Sequence, residues 1–387
     1  MSGIYVHVPF CRTACHYCDF HFSTSLSRVD PYVNALVKEI ELRSENQDWK
    51  NLEFHTLYFG GGTPSVLSPD SLKLITDVIS DSFRFKASGQ NILFSEATIE
   101  VNPEDVTKES LRGWKGAGFN RLSIGVQSFC DSQLEWMNRK HSADDTFAAV
   151  KLAHEAGFNR ISIDLIYGLP QFDAEWEKTV DIALGLPIDH ISCYALTIES
   201  QTVLGHRVAK GIEVEMPDER IQDDYRYMCD SAKAAGFDHY EVSNWSLGEA
   251  GRAIHNAGYW SGAPYLGLGA GAHGFIDNKR YANVSNNPKY ISALGSSKLP
   301  VIEEILSKRD RCNEALMTGL RTEAGVSFES LEKQWGYNPA KLNNTVFKNW
   351  VLDGGLVQSQ INTGSYFRIP EARWLIGDLI ASDLFVT

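Results

Sequence analysis

The sequence predicts an α/β fold, with a parallel sheet of βα units followed by a smaller helical module. Three observations carry that prediction. Over the first 200 residues, short runs rich in Val, Ile, Tyr or Thr alternate with longer amphipathic stretches. Most of the short runs are nearly continuous in apolar character, as parallel strands covered on both faces are. The spacing between them, roughly 30 residues, is that of a βα unit, and no solenoid period competes with it. Six βα units in this order leave two architectures open, a partial barrel or a doubly wound sheet.

The strands follow in order as Ile4–Val8, Thr56–Phe59, Thr98–Val101, Arg121–Gly125, Arg160–Ile166 and His190–Leu196. Helix-like stretches such as Asp30–Ser44 and Ser68–Ser82 lie between them. Ser68 is placed to cap its helix, with Pro69 at the first helical position. The phrase Ala-Gly-Phe occurs at 117–119, 156–158 and 235–237, each time ahead of a β-rich run. Gly118 and Gly157 read as helix C-caps feeding strands, and the third copy suggests another αβ step. From about residue 300 the pattern changes. Helical stretches dominate 303–350, and then a hairpin is expected from Gly355–Gln360 and Tyr366–Ile369, turning near Asn362-Thr363-Gly364. A last helix starts near Pro370. Helices followed by a hairpin suggest a winged-helix-like module. Residues 301–387 carry 9 Lys/Arg against 11 Asp/Glu, a net of −2, so the basic face of a DNA reader is missing. A packing or partner-docking role fits better.

The whole chain of 387 residues carries 36 basic and 49 acidic side chains, a net charge of −13. A field of that sign disfavours a nucleic-acid partner. No apolar run approaches the ~18 residues of a membrane span, so no stable membrane insertion is expected. Met1–His7 lacks the basic and apolar regions of an export signal, so a cytoplasmic protein is expected. Seven cysteines without such a signal are not a disulfide framework.

Three of the seven fall in Cys11-Arg12-Thr13-Ala14-Cys15-His16-Tyr17-Cys18, in a loop after the first strand. Three close thiolates suit a soft metal or an iron–sulfur cluster. A zinc site needs a fourth ligand, which His7, His16 or His21 could supply. Cys130, Cys193, Cys229 and Cys312 stand alone in the sequence, and Cys193 reads as a small buried hydrophobe.

Gly60-Gly61-Gly62-Thr63-Pro64 follows the second strand. Glycines at a strand end let backbone approach a ligand. Their N–H groups could bind a carboxylate and their carbonyls an amino group. Glu100, Gln127, Arg139 and Asp164 recur at or just beyond later strand ends, where a βα barrel gathers its ligand site. Asp164 lies in an apolar run, where a carboxylate needs a partner, either ligand hydroxyls or a nearby Arg. Arg139 has the planar fork that grips a carboxylate, unless it is a solvated helix residue.

The CxxxCxxC spacing with an aromatic residue before the last cysteine resembles the radical S-adenosylmethionine (SAM) superfamily. There three cysteines hold a 4Fe-4S cluster whose open iron chelates SAM, and one electron cleaves SAM to a 5′-deoxyadenosyl radical. Further phrases narrow the resemblance: Tyr5-Val6-His7-Val8-Pro9-Phe10-Cys11, Gly60–Pro64, Ile99-Glu100-Val101-Asn102-Pro103, Ser123–Ser128, Asp164–Pro170 and Tyr194-Ala195-Leu196. Together they are similar to the family of oxygen-independent coproporphyrinogen III oxidase over residues 4–280, and the C-terminal module is similar too. The resemblance implies a partial (β/α)6 radical SAM barrel over 1–210, an extension over 211–305 and a winged-helix-like C-terminal domain over 306–387. It implies Cys11, Cys15 and Cys18 as cluster ligands. It implies cofactor contact by Tyr5, Phe20, Gly61, Gly62, Thr63, Glu100, Gln127, Arg139, Asp164 and Ala195.

Two departures point to the family's haem chaperone branch, HemW. The oxidases extend the motif to CxxxCxxCxC, and Phe20 stands where that cysteine would be. The oxidases also carry a long segment ahead of the first strand, which here begins at Ile4. His255-Asn256-Ala257-Gly258-Tyr259-Trp260 resembles the HNxxYW motif of that branch. His255 is then the expected haem ligand, with Trp245 adding an apolar wall, and His273 is a second candidate. The plainer reading is a His-Asn pair satisfying backbone groups in a packed loop. The Gly-rich run Tyr265–Gly274 fits no dinucleotide fingerprint and is expected to line the substrate cavity. The branch implies haem and haem-accepting proteins as partners and an electron donor such as flavodoxin or ferredoxin. Oxidative decarboxylation of coproporphyrinogen III is the alternative, and a zinc-stabilised interaction protein is a third reading.

Overall fold

The computed structural model describes residues 1–86, 94–172, 175–361 and 364–387. Its centre is a sheet of strands β1 (Ser2–Val8), β2 (Glu53–Gly61), β3 (Arg84–Phe85), β4 (Glu96–Val101), β5 (Arg121–Gln127), β6 (Ile161–Tyr167) and β7 (His190–Ala195). The ladder β1-β2-β4-β5-β6-β7 is parallel throughout. The six expected strands are therefore neighbours in chain order, as a barrel requires and a doubly wound sheet does not. β3 is a short appendage on β2.

The sheet then grows at both edges. Beyond β7 come β8 (Asp238–Glu241) and β9 (Asn244–Ser246), an antiparallel hairpin whose β9 pairs with β7. The third Ala-Gly-Phe copy does end a helix, with Gly236 at φ +84°. It feeds an antiparallel hairpin rather than a parallel strand, because only Val242 and Ser243 separate β8 from β9. Beyond β1 come β10 (Tyr265–Leu268), parallel to β1, and then the antiparallel meander β11 (His273–Ile276), β12 (Lys279–Asn283) and β13 (Val301–Ile305). Residues 303–305, expected to be helical, are thus an edge strand held by β12.

Side chains on the helix-facing side of the parallel strands form the core, opposite the polar ones. Ile4, Val6, Phe59, Ile99, Ile124 and Ile163 are fully buried. Helices Val29–Ser44, Pro69–Ser82, Lys108–Gly116, Ala143–Glu155 and Glu175–Leu184 cover the outer face. Ser68 caps its helix as expected, accepting from the Ser71 N–H. Gly118 and Gly157, at φ +93° and +79°, close theirs.

A second core gathers Cys312, Leu316, Leu320, Phe328, Trp374 and Ile380. It is built from helices Lys308–Gly319, Phe328–Trp335 and Asn344–Leu352 and from the hairpin β14 (Val357–Ile361)–β15 (Gly364–Arg368). The expected turn residues Asn362 and Thr363 lie outside the described residues. Main-chain bonds join the module to the sheet edge, from the Val242 N–H to the Arg321 carbonyl and from the Glu323 N–H to the Tyr240 carbonyl, both 3.1 Å.

Candidate functional site

A cavity of about 520 Å³ opens at the C-terminal ends of the parallel strands. Five of the strands reach it: β2 through Gly61, with Gly62 just beyond, β4 through Glu100, β5 through Gln127, β6 through Asp164 and β7 through Ser192 and Ala195. Cys11, Cys15, Cys18, Phe20, Thr63 and Arg139 complete the wall. Twelve of the fifteen residues singled out in the sequence therefore share one cavity. Tyr5, His255 and His273 do not line it.

The cysteine loop is fixed from outside. The His16 N–H bonds the Met137 carbonyl, the His16 carbonyl accepts from Leu204, and the Ala14 carbonyl accepts from the Asn138 amide. None of the three histidines weighed as a fourth zinc ligand faces the cavity. His16 Nδ1 lies 2.7 Å from the Trp136 carbonyl, His21 Nε2 2.9 Å from Asn287, and His7 is taken up by Tyr5 and the His21 carbonyl. The three cysteines line the same cavity, near enough for Cys11 and Cys15 to act on the Cys18 thiol. Burial pushes the Cys18 thiol up to about 12, and its cysteine neighbours add to this, so three thiolates need a shared cation there. Three cysteines on one cavity, with no histidine turned to it as a fourth ligand, fit the ligand set of an iron–sulfur cluster.

The glycine turn explains itself sterically. Gly61 sits at φ +108°, and a Cβ on Gly62 would stand 2.7 Å from the Phe10 carbonyl and 2.8 Å from that of Val8. The turn therefore packs directly on the root of the cysteine loop. Its N–H groups are already used: Gly61 donates to Glu100, Gly62 to Val8 and Thr63 to Phe10. The N–H carboxylate site expected here is thereby corrected, and carbonyl oxygens are what remain for a ligand. Thr63 Oγ1 lies 3.4 Å from Cys11 Sγ.

Arg139 is no solvated helix residue. Its Nη2 donates to the Gly125 carbonyl at 2.7 Å and to Asn102 Oδ1 at 2.9 Å, and its Nη1 reaches Cys15 Sγ at 3.7 Å. Its buried Nε has no hydrogen-bond partner. An arginine held by its neighbours with one donor spare, beside the cysteines, fits an anionic ligand. Asp164 takes hydroxyls rather than an arginine as partners: Ser123 Oγ stands 3.2 Å away, and Ser192 also bonds it. Burial raises its carboxyl and these hydroxyls oppose the rise. Glu100 accepts from Tyr58 Oη at 2.8 Å and from the Gly61 N–H. Burial, with Asp164 nearby, pushes it up to about 7. Gln127 ends β5 at φ +67°, after a register shift that turns its amide toward the opening.

Sequence reasoning missed Tyr58, Asn102, Ser123 and Ser192, which orient the groups above, and Asn256 on the cavity wall. A signal existed for two of them. Tyr58 and Ser123 precede flagged strand-end residues by an even number of positions, so they share their face.

The three outlying residues have other roles. Tyr5 lies under the floor with its hydroxyl on His7 Nδ1. His255 belongs to helix Ile254–Trp260, which plugs the opposite end of the barrel. Both its ring nitrogens are taken, Nδ1 by Thr56 Oγ1 at 2.8 Å and Nε2 by Tyr259 Oη at 2.9 Å. Burial lowers it to about 4. This is the packed-loop reading of the motif, not an open axial ligand. His273 is exposed at the start of β11, away from the cavity. The Gly-rich run also stays clear of the cavity: Gly267 bonds Tyr281, and Gly269 donates to buried Glu39. Trp245 is fully buried and stacked on His239 at 4.0 Å, so it forms no haem wall.

Residues 5–183 match the model of the radical SAM superfamily. A heme chaperone HemW from Bacillus subtilis is 35% identical over 93% of both chains. One from Mycobacterium tuberculosis is 39% identical over 77% of this chain and 76% of its own. The chain belongs to the HemW branch of the radical SAM superfamily. Among solved structures, the coproporphyrinogen III oxidase HemN of Escherichia coli superposes with a TM-score of 0.84, covering 100% of this chain and 90% of its own. At 20% identity that likeness speaks for the fold alone. Membership of the superfamily implies a 4Fe-4S cluster and SAM as cofactors, and a reductant. HemW membership makes haem and haem proteins the relevant partners to test. No helix among the described residues is long and apolar enough to cross a membrane.

Proposed function

We propose that this chain is a cytoplasmic haem chaperone of the HemW type that binds haem and passes it to haem proteins. The observation that carries the reading is the joint one at the strand ends, where three cysteines, a glycine turn and a part-satisfied arginine meet on one cavity. The HemW relatives match across nearly the whole chain.

In this reading Cys11, Cys15 and Cys18 would hold the cluster and leave one iron for SAM. When bound, that cluster supplies single electrons to SAM. Arg139 offers its free Nε and its charge to the SAM carboxylate. The carbonyls of the Gly61–Gly62 turn, with Glu100 behind them, accept from the SAM amino group. Glu100, held by Tyr58 and the Gly61 N–H, would serve that amino group as a further acceptor. Asp164, aligned by Ser123 and Ser192, accepts from ribose hydroxyls. Gln127 and Ala195 border the same space. Phe20, two-thirds exposed at the mouth, stands where the oxidases have a further cysteine.

An anaerobic haem titration of the cluster-loaded protein, followed by absorbance, tests the reading. Saturable, near-stoichiometric binding is expected. Absence of specific binding, together with conversion of coproporphyrinogen III to protoporphyrinogen by protein, SAM and reductant, would overturn it in favour of the oxidase.

A further inference from the structure

Away from the cavity, three elements bring metal-ligating side chains of three kinds to one point. Cys229 comes from helix Asp218–Ala234, His239 from β8, and Glu371 from the turn that follows β15 in the C-terminal module. Cys229 Sγ lies 3.8 Å from His239 Nδ1, and Glu371 Oε1 lies 2.7 Å from the same nitrogen. All three donor atoms fall within 4.8 Å of one another. We propose that Cys229, His239 and Glu371 form a zinc site that fastens the C-terminal module to the edge of the sheet.

Without a metal, Glu371 accepts from both His239 Nδ1 and the Cys229 thiol. A divalent cation would take the place of those two protons, because all three donor atoms turn to one point. Thiolate, carboxylate and neutral imidazole together carry two negative charges, which Zn²⁺ cancels.

The spacing suits such an ion. Zinc bonds of about 2.3 Å to sulfur and ~2.0–2.1 Å to nitrogen and oxygen set tetrahedral edges of roughly 3.6 Å for S···N and 3.3 Å for N···O. The first edge is present, and the second needs Glu371 to swing out by about half an ångström. That carboxylate is free to do so, being 43% exposed. The imidazole is oriented as a ligand should be. Its Nε2 faces the Val242 carbonyl at 3.4 Å, the second partner that fixes a metal-bound histidine. Trp245 stacks on the ring at 4.0 Å, and Trp374 meets it edge-on. Solvent on the Glu371 side supplies a fourth ligand. Binding releases the thiol proton, and that of the imidazole where it is charged.

Cobalt(II) titration of the full-length chain tests this, under anaerobic conditions. Cys11→Ser, Cys15→Ser and Cys18→Ser are introduced together so that those thiols cannot compete. One equivalent is expected to give a thiolate-to-cobalt charge-transfer band and four-coordinate visible bands, both removed by one equivalent of zinc. Cys229→Ser should abolish the charge-transfer band, and Glu371→Gln should weaken binding at least ~10-fold. Glu371→Gln alters a half-exposed side chain, so it reports even where Cys229→Ser fails to fold. No band at micromolar cobalt, a band that survives Cys229→Ser, or an affinity unmoved by Glu371→Gln overturns the proposal.

Discussion

Arg139 and Asp164 face the same cavity, but their partners set different tasks. Arg139 spends Nη2 on Gly125 and Asn102 and keeps Nε free, whereas Asp164 is aligned by two serine hydroxyls. Asp164→Ala and Arg139→Ala should each weaken SAM binding at least about 10-fold, the loss of one charged hydrogen bond. Iron and sulfide content should stay unchanged. Equal SAM affinity in both variants would contradict the assigned site. His255 carries a different expectation. Its folded pKa of about 4 lies below its ordinary 6.5, so the unfolded chain takes up the proton that the folded chain refuses. Its contribution is complete above pH 6.5 and is lost as the pH falls toward 4, by about 3 kcal/mol at most. His255→Gln should lower the melting temperature near pH 7.5, and the gap to the parent should narrow steadily between pH 6.5 and 4. A constant gap would show that the histidine is not held neutral. The cysteines and strand-end polar groups were legible because the strand ends are local and the chemistry of each type is narrow. The setting of His255 was not, because nothing in His255–Trp260 says that the helix enters the barrel from the other end.

At the level of elements, the glycine turn and the cysteine loop form one device. The Gly62 and Thr63 N–H groups bond the Val8 and Phe10 carbonyls, so the end of β2 holds the start of the loop. Gly62→Ala places a Cβ 2.7 Å from the Phe10 carbonyl, and backbone on both sides has nowhere to move. Gly116→Ala, in an open helical position with nothing within 4 Å, is its control. Reconstituted Gly62→Ala should hold less iron and lose it faster to a chelator. Gly116→Ala should hold iron normally and gain up to ~1 kcal/mol of stability. Equal iron retention in the two would separate the turn from the cluster. The helix Ile254–Trp260 depends on a second such contact. Buried Glu96, at the start of β4, accepts from the Ile254 and His255 N–H groups and pairs with Arg160 at 3.0 Å. Glu96→Ala leaves two N–H groups unpaired and takes from Arg160 its nearest carboxylate, with Asp189 at 4.0 Å and the Arg252 carbonyl remaining, and about 3–5 kcal/mol of destabilisation should appear in denaturant unfolding. A loss below about 1 kcal/mol would mean that water replaces the carboxylate. Runs of Val and Ile identified the parallel strands because burial on both faces writes itself into consecutive residues. The hairpin β8–β9 and the edge strand β13 escaped detection because their identity rests on partners far away in sequence, with Ile302 and Ile305 exposed where a core pattern would bury them.

Over the whole molecule, the cofactor cavity and the C-terminal core belong to different packing units. The cavity is lined by residues between Cys11 and Asn256, all on elements of the first core, while the second core begins at Cys312. The helical character of the module could be read from the sequence, but its docking could not. Docking relies on main-chain bonds from Val242 and Glu323, which any sequence can make, and on side-chain pairs between residues far apart in the chain, such as Arg252–Glu323, Arg280–Glu314 and His239–Glu371. SAM, bound only when the strand ends are folded, acts on the first unit. At about 100 times its dissociation constant it adds roughly 2.7 kcal/mol to the folded state. Melting of the cluster-loaded protein should therefore move up by a few degrees with saturating SAM. Calorimetry should place the gain in the transition that also loses the cluster's visible absorbance. Asp164→Ala should flatten the response at the same SAM concentration. A SAM-dependent shift of equal size in that variant would place the ligand elsewhere in the molecule.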